Sequence, residues 1–249
     1  MAHMPTVVEL LEAGFHFGHK RSRRHPKMEP FIFTSKNDIN IIDLRLSVDL
    51  LAKAVEYVKK IGEDGGSILF VSTKKQATPL IEKYAQLCNQ PYISNRWIGG
   101  TLTNFSVISK MINHFKDLKA KRDSGDFQKY TKKEQLVFSR KIDELDYLVG
   151  GIEKMTKLPQ ALFVIDVNHD NTAVKEAMKK GIPIVAICDT NVNPEKVTYP
   201  IPGNDDAVKS IDLILNLFAK SYNDGKARRD AGEETKKAEA QKVEHTVEI

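Results

Sequence analysis

Five cations, Lys20, Arg21, Arg23, Arg24 and Lys27, fall within eight residues with no carboxylate among them. Guanidinium forks match phosphate oxygens in bidentate fashion, so the chemistry these residues suit is the binding of a polyanion. Pro26 and Pro30 keep the segment out of an α-helix and predict an exposed loop. Lys74 and Lys75 follow an apolar run in "LFVSTKKQA", where a phosphate would meet the N-terminus of a helix. A third stretch, "NRWIGGTLTNF" (Asn95 to Phe105), joins the only tryptophan of the chain to a cation, paired glycines and several hydroxyl and amide groups. A catalytic loop, a phosphate cradle and an RNA-contacting hinge each use those residue types.

Enzymatic motifs do not appear. The loop after the first strong apolar run is "VSTKKQ", not G-x-G-x-x-G, and neither a P-loop, a G-x-S-x-G elbow nor H-E-x-x-H occurs. Of seven histidines only His16 and His19 lie close together. An α/β sugar-phosphate or nucleotide-binding enzyme is the alternative reading, but no nucleophile stands beside a base to carry it. Cys88 and Cys188 form no C-x-x-C pair and sit in apolar surroundings, as reduced core residues of a cytosolic protein do. No signal peptide is read at the N-terminus, and no apolar run approaches the about 20 residues of a spanning helix. A formal charge of +5 permits a polyanionic partner, and 41% hydrophobic residues suffice for a core.

The elements that must position these groups alternate. "SILFVS" (Ser67–Ser72), "ALFVID" (Ala161–Asp166) and "IPIVAIC" (Ile182–Cys188) are short, continuous and β-branched, as buried parallel strands are. Between them run helical patterns. Val48, Leu51, Val55 and Val58 form one stripe; Thr73 with Gln76 predicts a capping box before Leu80, Ile81 and Tyr84. Asp205 or Asp206 is expected to cap a final helix carrying Val208, Ile211, Leu215 and Phe218. The expected fold is α/β: a three-layer α/β/α doubly wound, mostly parallel sheet of flavodoxin or Rossmann type, over 1–103 and 159–222.

Residues 104–158 break the alternation. Val107, Ile108, Met111, Ile112, Phe115 and Leu118 mark one helix; a Thr131–Glu134 capping box opens a second that carries Leu136, Ile142, Leu145 and Leu148. They predict an inserted helical hairpin, a coiled-coil arm rooted at Gly99-Gly100 and Gly150-Gly151. Its 12 lysines and arginines against 8 acids, counted from Ser106 to Leu158, give it most of the chain's positive excess. Residues 223–249 are polar and charge-balanced and read as a disordered or frayed tail.

Taken in order, "LLEAGFHFGHK", "HPKMEPFIF", "INIIDL", "LFVSTKKQA", "NRWIGGTLTNF", "VGGIEKMTKLPQALFVID", "GIPIVAICDTN" and "YPIPGNDDA" closely resemble the bacterial small-subunit ribosomal protein S2 family. The match runs from Thr6 to Tyr222. The resemblance implies a non-enzymatic structural constituent of the small ribosomal subunit, acting in translation. It would work in the cytoplasm on the ribosome, bind ribosomal RNA and help to recruit ribosomal protein S1. Its partners would be that RNA, S1 and neighbouring small-subunit proteins, with no membrane and no small-molecule substrate. Departures include Arg24 and His25, where the family commonly has an aromatic residue and an asparagine, and Val149 in place of leucine.

On this resemblance "NRWIGGTLTNF" is the hinge from sheet to hairpin, with Asn104 capping the outgoing helix and Trp97 packing the root. Arg96 joins Lys20, Arg21, Arg23, Arg24, Lys27, Lys74 and Lys75 as an RNA-contacting residue. No cofactor is required. The family places His19 near the strand ends that carry Asp189 and Asp205, a set of ligands for a divalent cation, zinc or magnesium.

Overall fold

The computed structural model describes residues 3–247, with side chains as far as residue 232. After a short helix α1 (Val7–Glu12), three strands, β1 (Phe17–Lys20), β2 (Ile32–Lys36) and β3 (Ile39–Ile42), form a small antiparallel sheet in the order β1-β3-β2. This sheet lies outside the apolar runs that mark the parallel strands. Asn37 and Asp38 turn the β2–β3 hairpin with positive φ angles of 51° and 60°, the conformation short polar side chains tolerate.

The chain then lays down α2 (Leu44–Glu63), β4 (Ile68–Val71), α3 (Thr78–Leu87), β5 (Tyr92–Ile93), α4 (Phe105–Asp123), α5 (Lys132–Val149), β6 (Ala161–Val164), α6 (Asn171–Lys180), β7 (Ile184–Cys188), β8 (Tyr199–Pro202) and α7 (Val208–Val247). The second sheet is parallel, ordered β5-β4-β6-β7-β8. Counted from β4, this is the 2-1-3-4-5 order of flavodoxin-type folds, which reverses direction between β4 and β6. Alternation of side chains explains its two cores. Phe70, Phe163, Val185 and Ile201 face α2, α3 and α7, and the Phe163 ring lies 4.9 Å from that of Phe218. Leu69, Val71, Leu162, Val164 and Ala186 face the other way, toward Val174 and Ala177 of α6.

Helices α4 and α5 pack on each other through Ile112, Phe115, Ile142 and Leu145, and this seam runs on into the second face of the sheet. The capping box at α5 is present: Thr131 Oγ1 accepts from Glu134 N–H, and the Glu134 carboxylate accepts from Thr131 N–H. Two other expected caps differ. Helix α3 starts at Thr78 behind Ala77, not at a Thr73–Gln76 box, because Thr73 is bonded elsewhere. Before α7 neither aspartate caps a helical N–H: Asn204 Oδ1 accepts from Asp206 and Ala207 N–H in the turn that leads to Val208, while the Asp205 side chain is turned inward. Helix α7 does not end at Tyr222. It crosses α2 where Gly62 and Gly225 let the backbones touch, and it continues through Val247 where a frayed tail was expected. Residues 248–249 of that expected tail lie outside the described residues.

Candidate functional site

The basic loop follows β1. Instead of an irregular loop it forms two 3-10 turns, Arg21–Arg23 and Pro26–Phe31, the second with Pro26 where its missing N–H costs nothing. His25 N–H donates to the Thr190 carbonyl at 2.8 Å, tying the loop to the segment after β7. Two of the five cations do find carboxylates, contrary to the local sequence: Arg24 meets Glu29 at 3.4 Å and Lys27 pairs with Glu195. Lys20, Arg21 and Arg23 are exposed and have no carboxylate partner among the described residues. Lys75 and Arg96 are exposed as well.

The tryptophan stretch is a cradle, and it holds a carboxylate of the protein itself. Glu176 of α6 is only 8% exposed. Its Oε1 accepts from Trp97 Nε1–H at 3.0 Å and Gly100 N–H at 2.7 Å. Its Oε2 accepts from Leu102 N–H, Thr103 N–H and the Thr103 hydroxyl, each at 3.0 Å. Burial alone would raise the pKa of this acid, but the donors, Trp97 first, outweigh it and hold Glu176 below its ordinary value. Gly100 has φ +95°, which lets the loop turn its N–H groups inward. Trp97 packs against the second core, as expected for the root of the hairpin. Asn104 stands before α4, but its side chain accepts from the Ser106 hydroxyl and caps no backbone N–H.

At the carboxyl ends of the parallel strands four acids converge: Asp166 after β6, Asp189 after β7, and Asp205 and Asp206 after β8. Lys74, expected on the surface, is turned into this group and its side chain is 13% exposed. Its Nζ lies 3.0 Å from Asp166, 2.8 Å from Asp205 and 2.7 Å from Asp206. The reason is the late start of α3: Thr73 N–H and hydroxyl bond Asp170, at 3.2 and 2.8 Å, and aim the next residue over the strand ends.

His19 reaches the same place from β1. Its Nδ1 is 2.9 Å from Asp189 and its Nε2 is 3.7 Å from Asp206. Side-chain ligand atoms of His19, Asp189, Asp205 and Asp206 all lie within 4.8 Å of one another. Asp206 was missed in the sequence; its place beside Asp205, in the loop between β8 and α7, was the available signal. The hydrogen bond to Asp189 raises the His19 pKa, against burial. Burial, followed by the nearby Asp166 and Asp189 charges, pushes Asp205 up to about 7 in spite of Lys74. Asp205 Oδ2 is buried without a hydrogen-bond partner. An imidazole and three carboxylates, one of them with an orphaned buried oxygen, make a donor set that fits zinc or magnesium. The cluster also anchors the small sheet: Asn40 Nδ2 donates to the His19 carbonyl at 2.9 Å, and His19 N–H to Thr190 Oγ1 at 2.9 Å. Gly18 is required there, since a Cβ would lie 2.5 Å from the Thr190 methyl.

Comparison with known proteins decides the affiliation. A family described as Ribosomal protein S2 matches residues 10–225. The chain belongs to the ribosomal protein S2 family. Relatives named small ribosomal subunit protein uS2 include one of Corynebacterium urealyticum, 44% identical over 245 residues that cover 94% of this chain and 91% of the relative. One of Salinispora arenicola is 48% identical over 221 residues, 88% of this chain and 79% of the relative. One of Mycobacterium tuberculosis is 45% identical over 244 residues, 98% of this chain and 85% of the relative. The S2 family is structural and non-enzymatic, which sets aside the nucleotide-binding enzyme as a reading. Among the described residues no helix is long and apolar enough to cross a membrane.

Proposed function

We propose that this S2 protein joins the small subunit in the cytoplasm by binding ribosomal RNA through its basic loop. The supporting observation is that Lys20, Arg21 and Arg23 are exposed, have no carboxylate partner among the described residues, and sit on a segment fixed by the His25–Thr190 hydrogen bond. Arg24, Lys27, Lys75 and Arg96 extend this set, and lysines of the hairpin arm at 104–158 add to it. Lys74 is left out because its charge is committed internally. Each phosphate contact adds roughly 0.7 to 0.9 to the magnitude of the slope of log affinity against log salt. Replacing Arg21, Arg23 and Arg24 by alanine is therefore expected to flatten that slope by about 2 in binding to small-subunit RNA. Folding should survive, since exposed side chains contribute little to the core. An unchanged slope would remove the loop from the interface.

The acidic cluster, on the same reading, takes one divalent cation on His19, Asp189, Asp205 and Asp206. Such an ion would cross-link β1 to the strand ends. Phe17, two residues from His19 and 47% exposed, would then stand on a fixed surface to which ribosomal protein S1 could be recruited. Elemental analysis of the purified protein, with Asp189→Ala as the comparison, checks the ion. A metal content the same in both proteins would sink it.

A further inference from the structure

We propose that Lys74 is a tethered cation of the carboxylate cluster, filling its inner position and leaving one outer position for a divalent ion. The inference rests on the reading of His19, Asp189, Asp205 and Asp206 as a cation site. Four carboxylates at the ends of three adjacent strands offer more negative charge than one ion and one imidazole need. The ammonium has three N–H donors, and it finds Asp166 at 3.0 Å, Asp205 at 2.8 Å and Asp206 at 2.7 Å, with the Asp205 carbonyl at 3.1 Å. It is saturated.

Asp205 divides the cluster in two. Its Oδ1 faces Lys74, its buried Oδ2 has no hydrogen-bond partner, and the residue also belongs to the group that includes His19 and Asp189. The two halves therefore share Asp205, and Asp206 likewise, with one oxygen near Lys74 and the other near His19. A positive charge on the inner half weakens the pull of the shared carboxylates on any ion in the outer half. Lys74 also occupies the crevice between the ends of β4 and β6, where flavodoxin-type sheets hold their ligands. The side chain thus does two things: it closes that crevice to an external anion, and it limits the cluster to a single ion of moderated affinity.

Zinc alone, titrated calorimetrically into the full chain and followed by thermal denaturation in chelator and in zinc, tests this. Lys74→Met is expected to bind zinc roughly tenfold or more tightly than the unmutated protein. Its melting temperature should be depressed in chelator and should rise further on adding zinc than that of the unmutated chain. Lys74→Arg, which keeps the charge, should bind zinc as the unmutated protein does. If Lys74→Met is unfolded in chelator, zinc-dependent recovery of ellipticity reads the same effect, and a chain that zinc does not refold counts against it. Equal zinc affinity in both proteins overturns the role of Lys74 but keeps the cluster as a cation site. Binding by Lys74→Met alone keeps Lys74 as the resident cation and overturns metal binding by the unmutated protein. No binding by either overturns both.

Discussion

Glu176→Ala is expected to destabilise the protein by about 3 to 5 kcal/mol, because five buried or half-buried donors lose their acceptor at once. Trp97 Nε1–H, three backbone N–H groups and the Thr103 hydroxyl all end on this one carboxylate. None of these groups has a second acceptor in the loop. Glu176→Gln should cost about half as much, since one of its two polar atoms becomes a donor facing donors. The acid response follows from the sign of the shift. The folded pKa of Glu176 lies below its ordinary value of 4.5, so its contribution is complete above that pH and disappears as pH falls through the folded value. Trp97 is the only tryptophan, so its emission reports the cradle directly. An acid-induced red shift should appear in the unmutated protein and be absent from Glu176→Gln, whose spectrum should not change with pH. Unaltered melting of Glu176→Ala would show that the cradle carries no stability.

Leu145→Asp should do comparable damage in a different place. Leu145 is 4% exposed in the seam between α4 and α5. Removing a buried leucine costs about 2 to 5 kcal/mol, and an unpaired carboxylate in its place adds about 1 to 3 kcal/mol or more. Loss of the α4–α5 helical signal in circular dichroism is the expected result, with amide protection kept on β4, β6 and β7. That outcome treats 104–158 as an arm which can open alone. Loss of protection throughout would instead mean that the shared second core makes arm and sheet one cooperative unit.

The central strands were legible because burial on both faces demands unbroken apolar runs, and "SILFVS", "ALFVID" and "IPIVAIC" have them. The Thr131–Glu134 cap was legible because both of its partners are local. What escaped depends on partners far along the chain. Glu176 looks like any helix surface glutamate; its donors lie 73 to 79 residues away. Lys74 and Thr73 looked like an exposed helix start, since Asp170 and Asp205, which turn them inward, are 97 and 131 residues distant. In the small antiparallel sheet β2 is exposed along most of its length, and one of the two buried positions of β3 is the polar Asn40, so "IFTSK" and "INII" carried no decisive apolar period. His19, Asp189 and Asp205 do converge, but the deciding fact, an orphaned Asp205 oxygen, exists only in three dimensions.

The anchoring of β1 has a consequence for the order in which the chain is made. His19 is held by Asp189 and Thr190, 170 and 171 residues downstream, and the Phe15 carbonyl accepts from Asn204 N–H. At about 5 to 20 residues per second, roughly 10 to 30 s of synthesis separate the first partner from the second. Throughout that interval the five cations from Lys20 to Lys27 emerge on a segment with nothing to seat it, beside the very class of polymer that cations attract. The nascent chain must therefore be most prone to premature capture by nucleic acid before β7 has been translated, and the loop made among the earliest parts is among the last to be fixed.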